Sequence, residues 1–469
     1  MVRKVLGRAA SVAVVVGLAV TALAVPALAS TSSAVPTAQQ GVSKDAIEIV
    51  LIVPDIDALV AKGVVPSNRS TAEFSKRFTA MSDAYGPING REIVVKPVAW
   101  DPLDVTSFDR VCTEATQDNK PFLVVNGSGY QTSSIPCISV DNKTPFFTGD
   151  MTYDLLQKGS GKNLVSINLP SEVAARSAAK VVAKTGVVPK KAKIGILSNN
   201  NPGIKAAGDA MQSELKKLGY DVVSKVEING LANDVGVLGR EGAAAVTTFQ
   251  GEGVDTVFNV QVPLSGFFNE VERTGAEFKV YQVDGQANTC QPTSVGATTS
   301  GGATGVTCIT PWNARSVPTK DAIKTDTPLE AKCRKAYEAA LGVKTQPGGG
   351  QRPINVNGVD YLADMTMNEC NIANVLFPAI KAAGKDVTWD KVYANLMKTT
   401  KAPSAYLGKG EGGFGKNKPY FAKPEFHFET VVHADANTPK DANGLFDGCA
   451  TPQTCLIPQL VKGQEWFTP

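Results

Sequence analysis

AIEIVLIVPD, residues 46–55, is apolar at every one of its first eight positions except Glu48, and it closes on a proline and an acid. A strand with one wet face would alternate apolar and polar residues. An apolar run without alternation reads as a strand buried on both faces, the situation of parallel strands covered by helices. The neighbouring segments supply those helices. STAEFSKRFTAMSDAYG (70–86) sets Phe74, Phe78 and Met81 at helical spacing behind a capping Ser70. REIVVKPVAWD (91–101) is a second strand, and DVTSFDRVCTEATQD (104–118) a second helix. PFLVVNGSG (121–129) is a third strand ending in a glycine loop, SSIPCISVDN (133–142) a short helix, and TPFFTGD (144–150) a fourth strand.

The alternation restarts near residue 166. SEVAARSAAKVVAKTG (171–186), GIKAAGDAMQSELKKLGY (203–220), the segment from Asp234 to Gly253 and PLSGFFNEVERTG (263–275) read as helices. They are interleaved with strands at KAKIGILSNN (191–200), DVVSKVEING (221–230), VDTVFNV (254–260) and FKVYQVD (278–284). Two such series predict an α/β protein of two Rossmann-like lobes with parallel sheets. Further on, TPLEAKCRKAYEAALG (327–342) and TWDKVYANLMKT (388–399) read as helices, and residues 357–384 as a long helix, whole or broken. KPEFHFETVVHAD (423–435) reads as a late strand.

A length of 469 residues exceeds one ordinary core and agrees with two domains. The net charge of +3, evenly spread, gives no reason to expect nucleic acid or a membrane surface as partner. Arg3, Lys4 and Arg8 precede an apolar run, and Ala27 and Ala29 follow at small-residue cleavage positions. This is the layout of a signal peptide over residues 1–29, cleaved after Ala29, with 30–43 as a disordered tether. A permanent membrane anchor is the alternative, and the short run argues against it. No cysteine near the cut offers a lipoprotein acceptor site, so the chain is expected to be extracellular or in the cell envelope.

Eight cysteines in an exported chain read as disulfides, and sequence leaves their pairing open. Locality favours Cys112–Cys137, Cys290–Cys308, Cys333–Cys370 and Cys449–Cys455. No metal site is expected. There is no CxxC, and the only histidines, His427 and His433, are explained as same-face residues of one strand.

No catalytic motif stands out. GxSxG, HExxH and a phosphate loop are all missing, and GEGGFG (410–415) has no strand leading into it. No enzyme activity and no cofactor are expected. What the chain offers is polar and small residues where strands end, the place where open α/β sheets bind ligands. NGSGYQTSS (126–134) presents Ser128, Tyr130, Gln131 and Thr132, and TGDMTYD (148–154) presents Met151 and Thr152. Ordinary turn chemistry would use the same residue types. Asp284 closes the strand FKVYQVD and is open to the same two explanations.

The order of these segments resembles the type I periplasmic solute-binding proteins, specifically the branched-chain amino-acid receptors of ABC transporters. AYGPINGREIVVKPVAWDP (84–102), TPFFTGDMTYDLL (144–156), YQVDGQANTC (281–290), NGVDYLADMTMNECNIA (357–373) and GGFGKNKPYFAKPEFHFETVV (412–432) carry the likeness over nearly all of the mature chain. The resemblance implies a three-crossover hinge between lobe 1 (44–166 plus 311–405) and lobe 2 (167–310 plus 406–469). It implies a ligand cleft between them. It places the ligand's carboxylate on Ser128 to Thr132 and on Met151 and Thr152, and its ammonium on Asp284. Three departures concern the ligand. Pro202–Gly203 stand where the family has an aromatic, leaving Asn199, Asn200 and Asn201 to offer amides; Val262 stands where a tyrosine would; and Tyr130–Gln131 replace a serine-rich run.

The expected function is capture of an amino-acid-like zwitterion for an ABC permease. A secreted sensor or scavenger without a permease is one alternative. A secreted hydrolase is another, disfavoured by the scarcity of histidine.

Overall fold

The computed structural model describes residues 39–63, 67, 69–101, 103–104, 106–127, 133–229, 235–260, 265–283, 303–312, 326–345, 353–362, 368–436, 438, 456–461 and 466–469. The opening run forms β1 (Ala46–Pro54). It pairs in parallel with β2 (Glu92–Trp100) on one side and β3 (Leu123–Asn126) on the other. With β4 (Phe146–Thr148) and β5 (Leu164–Ser166) these make an all-parallel sheet ordered β2-β1-β3-β4-β5. Both faces of β1 are covered, as its composition requires. Ile47, Ile49, Leu51 and Val53 join one apolar cluster, while Val50 and Ile52 join another with Val124, Phe146 and Leu164.

The second sheet contains β6 (Lys193–Asn199), β7 (Asp221–Ile228), β8 (Thr256–Val260), β9 (Lys279–Val283) and β10 (Thr307–Thr310) in parallel. β15 (His427–His433) and β16 (Leu456–Leu460) extend it antiparallel, giving the order β16-β15-β10-β9-β8-β6-β7. Two short hairpins lie outside both sheets: β11 (Pro353–Val356) with β12 (Val359–Leu362), and β13 (Ala402–Pro403) with β14 (Glu411–Gly412).

The helices are α1 (Ile56–Ala61), α2 (Thr71–Tyr85), α3 (Ser107–Thr113), α4 (Asp154–Ser160), α5 (Ser171–Thr185), α6 (Pro202–Lys217), α7 (Val235–Gly251), α8 (Ser265–Thr274), α9 (Pro328–Leu341), α10 (Asn368–Ala382) and α11 (Trp389–Lys398). Their ends follow local chemistry. The Ser70 side chain accepts from Glu73 N, and Thr327 and Glu330 form a reciprocal capping box at α9. No helix among the described residues is long and apolar enough to cross a membrane.

The chain passes between the sheets three times: after β5, after β10 and between β14 and β15. The crossing strands are tied to one another. Ser166 N donates to Pro419 O and Phe421 N to Ser166 O, both at 2.9 Å. Gly408 N donates to Pro311 O at 2.7 Å, beside a Trp312–Leu407 bridge. Residues 39–469 form one compact unit.

Two expected disulfides are present, Cys112–Cys137 and Cys333–Cys370. Cys308 is also disulfide-bonded, whereas Cys290, Cys449 and Cys455 lie outside the described residues, as do the segment expected to be a signal peptide and most of the expected tether. The long helix read over residues 357–384 is shorter than its whole-length form: Asn357 and Gly358 turn the β11–β12 hairpin, and α10 spans Asn368–Ala382. Both turn residues have positive φ, 52° and 85°, the geometry of the tight hairpin turn that Asn-Gly favours. Strands β5 and β16 are additional elements that the apolar pattern did not reveal.

Candidate functional site

In each parallel set every strand ends on the same edge. On the first sheet that edge carries Trp100, Asn126, Thr148 and Ser166. The loops there are built from hydrogen bonds that link neighbouring strands. Gly149 N donates to Asn126 O at 2.7 Å, and Ile167 N to Thr148 O at 2.9 Å. The Thr148 hydroxyl accepts from Asp150 N at 2.9 Å, turning the chain after β4. Ser171 N, opening α5, donates to Thr152 O at 2.8 Å.

The N-terminus of α10 is fastened onto the same loops. Asn368 Nδ2 donates to Gly127 O at 2.8 Å, and Asn168 Nδ2 donates to Gly149 O. The approach is close enough to require glycine twice. A Cβ on Gly127 would sit 1.9–2.0 Å from the Glu369 carboxyl group, and one on Gly149 would sit 2.4 Å from the Asn368 amide. Glu369 is only 2% exposed and lies in the first turn of α10, where the helix dipole favours a negative charge.

This edge leaves hydrogen-bonding capacity open. Both amide atoms of Asn126, Thr152 Oγ1, Asn168 Oδ1 and Asn368 Oδ1 are buried without a partner among the described residues. Asn126 and Thr152 are 0% exposed. An unpaired buried amide or hydroxyl costs about 1–3 kcal/mol, so four such side chains around two glycine loops are costly unless something else binds them. Tyr153 follows Thr152, and its phenol is pushed up by burial and then by Glu172, which keeps it neutral and able to donate.

On the second sheet the corresponding edge carries Asn199, Ile228, Val260, Val283 and Thr310. Asn201 caps α6, its side chain accepting from Gly203 N at 3.1 Å. That bond uses the side-chain oxygen and leaves the amide NH₂. Buried within the sheet, Asn259 Nδ2 donates to Gln282 Oε1. In the second crossing, Trp312 is 5% exposed and its indole N–H has no partner among the described residues.

Of the residues expected to bind ligand, Met151 and Thr152 lie buried on the first edge and Asn201 lies at an α6 cap on the second. Ser128, Tyr130, Gln131, Thr132 and Asp284 are outside the described residues, although Gly127 and Val283, which precede two of these positions, end on the two edges. Asn126, Asn168, Asn368 and Trp312, which carry unpartnered buried atoms among the described residues, were not named as candidates from the sequence. For Asn126 and Asn168 the signal was present, since an amide closes the apolar runs LVVN and VSIN. Asn368 reaches Gly127 across 241 residues of chain, which no local pattern encodes. The two histidines share β15. His427 is buried and Nε2 lies 2.8 Å from Glu429 Oε1, while His433 is exposed. Among the described residues no His, Cys, Asp and Glu group has the arrangement to hold a metal.

Comparison with solved structures places this architecture. A solute-binding protein of an ABC transporter from Rhodopseudomonas palustris BisB5, in complex with 3,4-dihydroxybenzoic acid, superposes with a TM-score of 0.59 at 15% identity, covering 91% of this chain and 98% of that one. The leucine-binding protein LivK from Thermotoga maritima matches at 0.56 and 15% identity, over 82% of this chain and 95% of that one. A substrate-binding protein from Desulfitobacterium hafniense in complex with leucine matches at 0.54 and 14% identity, over 82% and 97%. The chain has the type I periplasmic-binding-protein fold shared by these solute-binding proteins. No protein-family model and no curated protein matches it.

Proposed function

We propose that the chain is an exported solute-binding protein that captures a small polar molecule between its two lobes and delivers it to an ABC permease. The observation that carries this reading is the group of unpaired buried polar atoms on Asn126, Thr152, Asn168 and Asn368 at the strand-end edge of the first sheet. Ligands of open α/β sheets bind at that edge. The mechanism is hinge closure about the three tied crossings: only the closed state joins the ligand to both lobes, so ligand favours closure.

The ligand is proposed to be an amino acid or a related zwitterion. Its carboxylate rests on the loops at 128–132 and 151–152, and its ammonium pairs with Asp284. Amides at Asn199 to Asn201 replace the family's aromatic wall. The neighbours' ligands span leucine and hydroxybenzoates, so a carboxylate is their common feature.

The test is a thermal-shift screen of the purified chain against amino acids, amides, short peptides, benzoates and other carboxylic acids. A ligand at a hundred times its Kd stabilises the folded state by about 2.7 kcal/mol. Asp284→Ala is expected to weaken the best zwitterionic ligand by about 2–4 kcal/mol, because its ammonium would be buried unmatched. Unchanged affinity in calorimetry would remove Asp284 from the site. A screen in which only carboxylates lacking an amine bind would replace the zwitterion with a simple acid.

A further inference from the structure

A concavity lies between α2, α9 and α10. It has a volume of about 470 Å³ and is walled by Met81, Tyr85, Leu329, Ala336 and Phe377, with the Cys333–Cys370 disulfide in its lining. None of Asn126, Thr152, Asn168 or Asn368 touches it. The disulfide fixes α9 against α10, and the Tyr85 and Phe377 rings pack at 5.2 Å, so the walls are held by covalent and aromatic contacts. Alanines at 84, 336, 339 and 373 leave the depth.

Two lysines complete the lining. Lys332 and Lys335 are exposed, and neither makes an ion pair among the described residues. Lys332 Nζ lies 5.9 Å from the Tyr85 ring centre. An apolar groove with two free ammonium groups complements a molecule with an apolar body and one anionic end. The size distinguishes the kind of molecule. One turn of a partner helix occupies roughly 400–600 Å³ on its usual diameter and pitch, so the groove accepts little more than a turn. Small-ligand pockets occupy about 300–1,000 Å³.

We propose that this groove binds a medium-chain alkyl carboxylate, its chain between α2, α9 and α10 and its carboxylate at Lys332 and Lys335. The interaction is separate from solute capture at the strand-end edge. An alkyl chain suits walls made of helices, whose backbone groups are already bonded and offer nothing to a peptide strand.

Calorimetric titration of the purified chain with octanoate, decanoate and dodecanoate tests it. Affinity should rise about fourfold per methylene, the signature of chain burial. Ala336→Trp, which fills the groove, should weaken dodecanoate at least tenfold. Because that variant risks misfolding, Lys332→Glu with Lys335→Glu provides an independent check at exposed positions. It should weaken dodecanoate about tenfold and strengthen dodecyltrimethylammonium, while leaving the thermal shift by a solute from the screen unchanged. Any of three results would overturn the proposal: no saturable binding, equal affinity along the chain-length series, or affinity insensitive to both variants. A concentration-dependent dimer abolished by the lysine reversal would assign the groove to a second copy instead.

Discussion

Thr152 carries a hydroxyl that is fully buried and unpaired among the described residues. Replacing it with the isosteric valine separates a structural role from a binding role. Thr152→Val removes an unmet polar group, so the ligand-free chain should melt at the same temperature or higher. The same change should weaken solute binding by about 0.5–1.5 kcal/mol in calorimetry, the value of one lost neutral hydrogen bond. Reduced ligand-free stability with intact affinity would mean that the hydroxyl serves the fold. Lys418, in the third crossing, offers a test by pH. Its ammonium donates to Gly413 O at 2.6 Å, and burial, with Lys423 nearby, lowers its pKa from 10.5 to about 8. The folded chain releases this proton near pH 8, and the unfolded chain near 10.5. Between those values the unfolded state holds more protons, so stability rises with pH across that window. Urea unfolding should show the wild type gaining on Lys418→Met across this window, and a constant difference would contradict it. At this scale the sequence singled out Met151 and Thr152, because a polar turn follows an apolar strand, and the structure places both buried at the strand-end edge. It could not reveal Asn368, whose position depends on the folded chain.

Secondary elements were legible where composition and period agreed. The run at 46–55 became β1, the spacing of Phe74, Phe78 and Met81 became α2, and Ser70 caps it as expected. Three-residue strands such as β5 have too little sequence to show a period. The β11–β12 hairpin was overlooked although Asn357–Gly358 marks it, because the helical composition downstream was extended through it. Disulfides act at the element scale too. Cys112 and Cys137 are 25 residues apart, and Cys333 and Cys370 are 37 apart. For loops of these lengths the chain-entropy model gives roughly 3.5–4 kcal/mol each. Replacing both cysteines of one pair by serine should lower the unfolding free energy by about 2–4 kcal/mol, measured by urea denaturation. A loss below about 0.5 kcal/mol would mean that the reduced, unfolded chain already holds those segments together.

At the scale of the whole molecule, one parallel sheet, a second sheet parallel except for β15 and β16, and three tied crossings suit the lobe motion proposed as the response to ligand. The two α/β series were legible from the repetition of β-α units before and after residue 166, whereas the three crossings came only from the resemblance. The ligand was not, because loops of the same glycines, serines and amides serve turns as readily as binding sites. The most direct measurement is small-angle X-ray scattering of the purified chain with and without the solute that most raises its melting temperature. Closure predicts a smaller radius of gyration at saturation with unchanged mass. An identical scattering curve with ligand bound would contradict capture between two closing lobes.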